Sequence, residues 1–428
     1  MSQALFPEGA VALHFGERQL CLSAGVKLYC GSMMQGQRRV AVAAAAMTPV
    51  RKDLEAPIAD TLVQVIHEAL ARAGIGPVEV EGLYTTPPGF ARPSNFMFAC
   101  DLAAHLGVPF RGLVMAECGG SSSLAALKAA IQDVLAGRVR VAVAAALDQR
   151  ALPSADQLLK NLPMFVSRQI GLYGPYLGPY GIGAPIPLYA LSAQRYMHEY
   201  RVSAEAVAEV AVRLRRNAEK NPFAEYRDPI TVEQVLASPL LSPPIHLLEC
   251  SPFASGAAAV VLCAKEAAAG RKLPPVWLTG FGEYHHPSHF LDDRAGITTF
   301  EATVKAGAEA FADAGRKPSD VDVAEVYGVF AATELMIYED LGFFPKGEAG
   351  RAVAEGRTGP EGEVWMNPSG GRLSFGHPAA ATPMMELTEV AWQLQGRAAE
   401  RQAKKAGIGL VHSEHGMLNG GFVFILEN

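Results

Sequence analysis

An apolar run, a turn of small residues and an alanine-rich segment follow one another in Gly112-Leu-Val-Met-Ala-Glu117-Cys118-Gly119-Gly120-Ser121-Ser-Ser-Leu124-Ala-Ala-Leu-Lys-Ala-Ala-Ile131. This order predicts a buried strand, a tight turn and a buried helix. Such a turn aims backbone N–H groups and the positive end of the helix at one point, where an oxyanion can be held. The segment therefore predicts α/β organisation with a candidate reaction centre at the turn.

Length and composition place the chain among globular proteins. It has 428 residues, of which 50% are hydrophobic and 19% are charged, and its formal net charge is -6. A chain of this size is long enough to form two domain-sized halves. The sequence has no run of about 18 consecutive apolar residues, and its start lacks the basic-then-apolar order of a signal peptide. We therefore expect a cytoplasmic protein without a membrane span.

Residue spacing argues against several kinds of site. The six cysteines include no CxxC pair, which argues against a disulfide framework or a zinc site. The cluster of His285, His286 and His289 lacks metal-ligand spacing and a matching set of carboxylates, so we assign no metal. The mildly acidic net charge and the lack of a dense Lys/Arg block argue against a surface that binds nucleic acid.

The pattern predicts three regions: an N-terminal extension (1–38), a first half (39–270) and a second half (271–428). Within the first half, a segment rich in Pro, Gly and Tyr predicts a folded loop excursion at about 150–190, which we interpret as a lid or substrate loop. Both halves repeat an apolar strand, a glycine-rich turn and a small-residue helix. The turns are at Gly119-Gly120 and Gly376-His377-Pro378, and pseudo-symmetry places them at a shared interface.

Four segments of the second half carry a family resemblance. They are Glu325-Val-Tyr327-Gly328-Val-Phe330, Glu339-Asp-Leu-Gly-Phe-Phe-Pro-Lys346, Asn367-Pro-Ser-Gly-Gly-Arg-Leu-Ser-Phe-Gly376-His377-Pro378 and His415-Gly-Met-Leu-Asn-Gly-Gly421. The first half agrees at Cys250-Ser-Pro-Phe-Ala-Ser-Gly256. From about Arg39 to its C-terminus, the chain resembles the thiolase superfamily, in the branch of the sterol-carrier-protein thiolases and lipid-transfer proteins.

This resemblance implies an α/β fold of the thiolase type, with two pseudo-symmetric halves in an α-β-α-β-α layered arrangement and usually a homodimer. It also implies an acyl-CoA substrate, in which coenzyme A enters as part of the substrate, and no permanently bound cofactor. Coenzyme A is implied by the resemblance alone, since no phosphate-binding glycine loop is present. Arg213, Arg215 and Arg216 either contact its phosphates, with Arg213 and Arg216 as the candidates, or form a solvated charged face of a helix. Related proteins that lack the cysteine work with a small zinc-ribbon/OB-fold partner, so such a partner is expected by analogy.

The chain departs from the family at both catalytic cysteines. Counting back from Leu124 places the nucleophile position on Gly120, and Cys118 lies two residues early. The second cysteine belongs to a His-Asp-Cys-Phe segment, which here reads Tyr327-Gly328-Val329-Phe330. Cys118 is therefore either a displaced nucleophile or a buried structural thiol.

The remaining family positions predict a site without an essential cysteine. His377 and His415 match family histidines, and His415 is predicted to lie in the glycine-rich turn before the last strand. Tyr327 replaces another family histidine at the predicted end of a strand, and the backbone of Gly120 would form an oxyanion hole. Tyr284 is a second candidate, and His412 is interpreted as strand filler or a partner of the site. A tyrosine acts as a base only beside a positive neighbour or strong hydrogen bonds, since its reference pKa is about 10.

Three functions remain open from the sequence. We favour carbon–carbon cleavage of a 3-hydroxyacyl-CoA by retro-aldol chemistry without an acyl-enzyme. The alternatives are a thiolase-type acyltransferase that uses Cys118, and a non-catalytic subunit that binds acyl-CoA within a complex.

Overall fold

The computed structural model describes residues 39–54, 56–89, 97–149, 185–286, 296–416 and 420–428. The predicted N-terminal extension and residues 150–184 of the predicted loop excursion lie outside these ranges. A helix, Pro185–Tyr200, begins inside the range predicted for the excursion. The predicted excursion at about 150–190 therefore overlaps the start of this helix, and the rest of that range stays a prediction.

Strands in the described residues are apolar and mostly buried on both faces, as expected for a sheet that is covered on both sides. They are β1 (Val40–Met47), β2 (Gly82–Thr85), β3 (Gly112–Met115), β4 (Val141–Asp148), β5 (Leu240–Ser242), β6 (Ile245–His246), β7 (Gly256–Ala264), β8 (Val276–His285), β9 (Val323–Glu325), β10 (Trp365–Met366), β11 (Ile408–His415) and β12 (Gly420–Glu427). Strands β5 and β6 form a separate hairpin, and the other strands form one sheet.

The ten-stranded sheet consists of two halves with the same topology. In the first half the order is β1-β7-β4-β2-β3, and in the second it is β8-β12-β11-β9-β10. In each half the first two neighbour pairs are antiparallel and the next two are parallel. The halves meet where Ala41 pairs with Trp277 and Val42 with Val276. The predicted pseudo-symmetry is therefore confirmed in the order and direction of the strands.

Helices in the described residues follow the strands as the alternating pattern predicted. They are α1 (Ile58–Ala73), α2 (Phe98–Leu106), α3 (Ser122–Leu135), α4 (Pro185–Tyr200), α5 (Ala204–Ala218), α6 (Val232–Ala237), α7 (Lys265–Ala268), α8 (Glu301–Ala314), α9 (Ala331–Asp340), α10 (Ala349–Ala354), α11 (Gly371–Ser374) and α12 (Thr382–Leu394). No helix among these residues is long and apolar enough to cross a membrane.

The layers follow from which strands each helix contacts. Helix α1 packs on β1, β4 and β7, whereas α8 packs on β8 and β12, so these helices form outer layers. Helix α12 contacts strands of both halves and packs beside α3, and all of its residues are buried. A helix that is buried on all sides is the signature of a central layer. The order is therefore α-β-α-β-α, as predicted.

Candidate active site

The central layer brings the two predicted turns together. The turn Gly119–Ser121 connects β3 to α3, and His377 lies between α11 and α12 at the matching place in the second half. Tyr327 was predicted to end a strand, but β9 ends at Glu325 and Tyr327 lies two residues beyond it. The side chain of Tyr327 therefore extends from the end of the sheet into the space between the two turns.

Gly120 and Tyr327 lie against each other. A methyl group on Gly120 would lie 2.3 Å from the Tyr327 hydroxyl oxygen and 3.0 Å from the carbonyl oxygen of Glu414. Only a residue without a side chain fits here without displacing the phenol. Because Gly120 has no side chain, the Tyr327 hydroxyl can lie directly against the backbone at this predicted nucleophile position.

Arg372 contacts two of the candidate site residues, Tyr327 and His377, although it was not among the residues predicted for the site. Its guanidinium carbon lies 3.4 Å from the centre of the Tyr327 ring, over the ring face. Its Nη2 donates to Glu386 at 2.9 Å, in an ion pair whose partners are no more than 1% exposed. An arginine in the otherwise small and apolar run Gly370–Gly376, with a glutamate in the following helix, was the signal that could have indicated it.

The same guanidinium sets the tautomer of His377. Arg372 Nη1 lies 3.1 Å from His377 Nδ1, and because a guanidinium only donates, Nδ1 must accept and the ring proton belongs on Nε2. Burial, and then the charge of Arg372, hold the pKa of His377 well below its usual range. His377 Nε2, 3.5 Å from the Tyr327 oxygen, is therefore a hydrogen-bond donor, not a group that titrates near neutrality.

Tyr327 has the positive neighbour that a tyrosine base requires. Burial nevertheless raises its pKa above the ordinary value; the Arg372 charge opposes this shift, and the carboxylates of Glu414, Glu386 and Asp148 add to it. Its phenol is 4% exposed. Tyr327 is therefore protonated at rest, and Arg372 reduces the free energy needed to form the phenolate.

His415 has a different local structure from the one predicted. It is the last residue of β11 and pairs with Gly420, whereas the sequence placed it in the following turn. Its Nδ1 lies 3.2 Å from Ser121 Oγ, in the glycine turn, and its Nε2 lies 3.2 Å from His285 Nδ1. Burial, then His285 and Lys128, lower the pKa of His415 to about 4. His415 is thus a neutral imidazole beside the turn.

His412 lies behind the site. Its Nδ1 is 3.4 Å from the Tyr327 backbone nitrogen and its Nε2 is 3.1 Å from the Thr303 hydroxyl. Burial, then the charge of Arg372, lower its pKa to about 3. The neutral ring holds the backbone at Tyr327, in agreement with the interpretation of His412 as a partner of the site.

Cys118 lies outside this group of residues. Its thiol packs partly buried against the cluster that contains Leu124 and Leu127. Burial, and then the charge of Glu283, raise the pKa of the Cys118 thiol to about 11, although Lys128 opposes the shift. His377 and His415 make their hydrogen bonds to other groups. Among the described residues no hydrogen bond joins the Cys118 thiol to an imidazole, and its pKa is raised, so it has neither of the two usual means of activating a thiol.

The structure gives Arg213 a role different from the predicted contact with CoA. The side chain is 6% exposed and pairs with Glu334 at 2.8 Å, and it also donates to the Met366 carbonyl oxygen at 2.7 Å. Its charge is already balanced in the interior, so we no longer assign Arg213 to phosphate. Arg216 is exposed on the same helix and stays a candidate. Tyr284 lies in β8, paired with Gly421, and is partly buried.

Comparison with known proteins shows which proteins this chain is similar to. Residues 282–428 match the family model "Thiolase C-terminal domain-like". The chain is 42% identical over 226 residues to "Acetyl-CoA acetyltransferase" of Methanothermobacter thermautotrophicus, covering 53% of this chain and 59% of that protein. It is 31% identical over 244 residues to "Sterol carrier protein 2" of Gallus gallus, covering 55% of this chain and 45% of that one.

A solved structure named "Ltp2-ChsH2(DUF35) aldolase" superposes with a TM-score of 0.78 at 26% identity, covering 91% of this chain and 97% of that one. The curated relatives are thus matched over about half their length, whereas this structure is matched over nearly all of it. The strand order, the layers and these matches agree with one another. The chain therefore has the thiolase fold, residues 282–428 match the thiolase C-terminal family, and its sequence is similar to sterol-carrier-protein-thiolase-like members of the thiolase superfamily.

Proposed function

We propose that this protein cleaves the bond between C2 and C3 of a 3-hydroxyacyl-CoA thioester by retro-aldol chemistry, without an acyl-enzyme. The observation that carries the proposal is the Tyr327 hydroxyl, which fills the space at Gly120 under a cationic guanidinium. Similarity to the thiolase superfamily supports an acyl-CoA substrate. Coenzyme A enters with that substrate, and the chemistry needs no permanently bound cofactor.

The cleavage requires two proton transfers and a stabilised enolate. Tyr327, as phenolate beside Arg372, takes the proton of the 3-hydroxyl group. The bond from C2 to C3 then breaks, C3 becomes a carbonyl carbon, and the electron pair passes into the thioester as an enolate. Hydrogen-bond donors aimed at the developing enolate oxygen lower the barrier, and both His377 Nε2–H and the backbone at Gly120 fit that role. Finally C2 takes up a proton.

Acyl transfer through Cys118 is the competing function, and the name of the archaeal relative favours it. The raised pKa of the Cys118 thiol and the lack of a hydrogen bond to His377 or His415 oppose it. The name of the superposed aldolase favours carbon–carbon cleavage in that relative. Because the residues at the centre of this site are a phenol, a guanidinium and two imidazoles, we assign the same class of reaction here.

The decisive experiment measures two things: whether the protein becomes covalently acetylated, and whether it cleaves 3-hydroxyacyl-CoA thioesters. Wild-type protein is incubated with acetyl-CoA or acetoacetyl-CoA and examined by mass spectrometry, and a panel of 3-hydroxyacyl-CoA thioesters, linear and branched at C3, is screened for a shortened acyl-CoA. We expect no acetyl adduct, and turnover in Cys118→Ala within about twofold of wild type, since its thiol takes no part. Cys250→Ala is the matched control, because burial raises the pKa of that thiol to about 11 as well.

An acetyl adduct on Cys118, lost in Cys118→Ala together with activity, would establish the acyltransferase instead. No turnover of any thioester, with CoA binding retained, would favour the non-catalytic subunit. Both results would contradict the proposal.

Gly120→Ala is expected to lower kcat by roughly 10²-fold, the effect of about 1 Å of misplacement at a reacting group. The new methyl group would overlap the Tyr327 hydroxyl and force the phenol away from His377. Gly350→Ala in α10 is the control, because a methyl group there meets its nearest neighbour at 3.4 Å. The measurement is steady-state kinetics together with thermal unfolding. Equal activity in the two variants would contradict the position assigned to Tyr327.

The expected assembly follows from the relatives alone. The superposed aldolase is named as a complex with a DUF35 protein, which supports the predicted small zinc-ribbon/OB-fold partner. A homodimer and contact of Arg216 with the CoA phosphates stay predictions. Phe253 stacks on His377 with ring centres 5.7 Å apart and is 49% exposed, so we place the approach of the acyl group on its side of the site.

A further inference from the structure

Three side chains, those of His285, His415 and Ser121, form a continuous line of hydrogen bonds beside the glycine turn, and Ser413 hydrogen-bonds the buried end of the line at Ser121. His285 Nδ1 lies 3.2 Å from His415 Nε2, His415 Nδ1 lies 3.2 Å from Ser121 Oγ, and Ser121 Oγ lies 2.8 Å from Ser413 Oγ. Every member of this line both donates and accepts, since a neutral imidazole carries one N–H and one lone pair and a hydroxyl group carries both. A proton can therefore enter at one end as another leaves at the other.

The two ends of the line have different surroundings. His285, the last residue of β8, is exposed. Ser121 is fully buried and directly follows Gly120, the residue that faces the Tyr327 hydroxyl. The line thus runs from solvent to the turn where the proposed reaction takes place.

Local packing holds the middle of the line in place. The rings of His285 and His415 are stacked, with an angle of 11° between their planes and 5.3 Å between their centres. A methyl group on Gly420 would lie 2.0 Å from His415 Nε2, so the strand opposite His415 must have a glycine to leave room for the imidazole. The low pKa of His415 keeps its ring neutral, so a proton can pass through it without remaining there.

We propose that His285, His415 and Ser121 form a proton relay that connects solvent with C2 of the bound thioester. This inference rests on the proposed function, because it assigns the second of the two proton transfers. His285 does not touch the substrate in this arrangement. It acts through His415, as the residue that exchanges protons with water.

With this relay, every proton taken up or released in the reaction is accounted for. C2 of the enolate takes the Ser121 hydroxyl proton, Ser121 takes one from His415 Nδ1, His415 takes one at Nε2 from His285 Nδ1, and His285 takes one from water. Tyr327 returns the proton of the 3-hydroxyl group to water after the products leave, so no net charge accumulates. In the reverse direction the same relay removes a proton from C2 of acetyl-CoA.

The test is the exchange of acetyl-CoA methyl protons in D2O, followed by the mass of the thioester. We expect wild-type protein to catalyse exchange and His285→Gln to slow it by roughly 10²-fold. Imidazole added to His285→Ala should restore exchange, because the missing ring is at the surface. His286→Gln is the matched control: this neighbouring histidine pairs with Glu301 at 2.9 Å, and the variant should exchange at the wild-type rate.

The outcomes separate the relay from the proposed function. The relay would be overturned if His285→Gln exchanged at the wild-type rate, or if His286→Gln lost as much activity as His285→Gln. It would also be overturned if imidazole did not restore exchange in His285→Ala, or if the wild-type protein did not catalyse exchange. Cleavage of 3-hydroxyacyl-CoA, measured separately on the same wild-type protein, decides the proposed function. A protein that cleaves the thioester but shows unchanged exchange in His285→Gln keeps the function and loses the relay.

Discussion

Tyr327→Phe should lower kcat for cleavage of a 3-hydroxyacyl-CoA by roughly 10²- to 10⁴-fold, the usual contribution of a general acid or base. The change removes only the hydroxyl group that contacts Gly120 and lies near His377. The ring, its stacking on Arg372 and the fold remain. KM and CoA binding should change little, which steady-state kinetics and calorimetric titration with CoA can measure.

Two tyrosines provide controls for this variant. Tyr84→Phe removes a hydroxyl group that donates to Asp133 at 2.6 Å, in the first half of the fold, so it should affect stability more than turnover. Tyr284→Phe tests the second tyrosine indicated by the sequence. If Tyr284→Phe, and not Tyr327→Phe, abolishes cleavage, the base has been assigned to the wrong residue.

The same residue predicts the pH dependence of kcat. The phenolate is the active form and burial raises the pKa of Tyr327 above its ordinary value, so the reactive fraction grows about tenfold per pH unit below that pKa. We expect kcat to keep rising with pH to at least about pH 10, without a plateau below that pH. A rate that stays constant between about pH 6 and about pH 9 would fit a histidine base instead, since the pKa of His415 is lowered to about 4.

Arg372→Met should affect both stability and activity. It leaves Glu386 buried without its partner. Removal of one member of a buried ion pair lowers the free energy of unfolding by about 3–5 kcal/mol. It also removes the donor to His377 Nδ1 and the cation over Tyr327, so kcat should fall by roughly 10²-fold or more. Chemical denaturation and kinetics on the folded variant measure the two effects.

A double variant separates these two roles of Arg372. Arg372→Met combined with Glu386→Leu replaces the buried pair by apolar side chains, a change that is often neutral or stabilising. Stability should recover in the double variant, whereas activity should not, because His377 and Tyr327 still lack the guanidinium. Recovery of activity together with stability would show that Arg372 serves only the fold.

Most secondary structure was predictable because its pattern is local. The apolar run of β1 and the amphipathic pattern of α1 can both be read from neighbouring residues alone. Predictions were less accurate where tertiary contacts decide the boundary. The strand β11 continues to His415 because β12 pairs with it along its whole length, and no local pattern encodes that pairing.

The candidate site was predictable only in part. The motif positions identified Tyr327, His377 and His415, and the structure brings all three beside the glycine turn. The sequence did not indicate Arg372, because an arginine between glycines and serines usually lies at a surface, and here burial depends on Glu386 in α12. Arg213 is a similar case. Its sequence pattern is that of a charged, exposed helix face, but in the structure its side chain is buried in an ion pair with Glu334.

The sequence by itself determined the α/β alternation, the two pseudo-symmetric halves and the family resemblance, since each of these depends on residue types and their spacing. Only the tertiary structure decided the protonation of the site. Whether His377 donates, whether the Cys118 thiol is activated and whether Tyr327 has a cation beside it depend on burial and on partners far apart in sequence, and those are set when α11, α12 and the two half-sheets pack together.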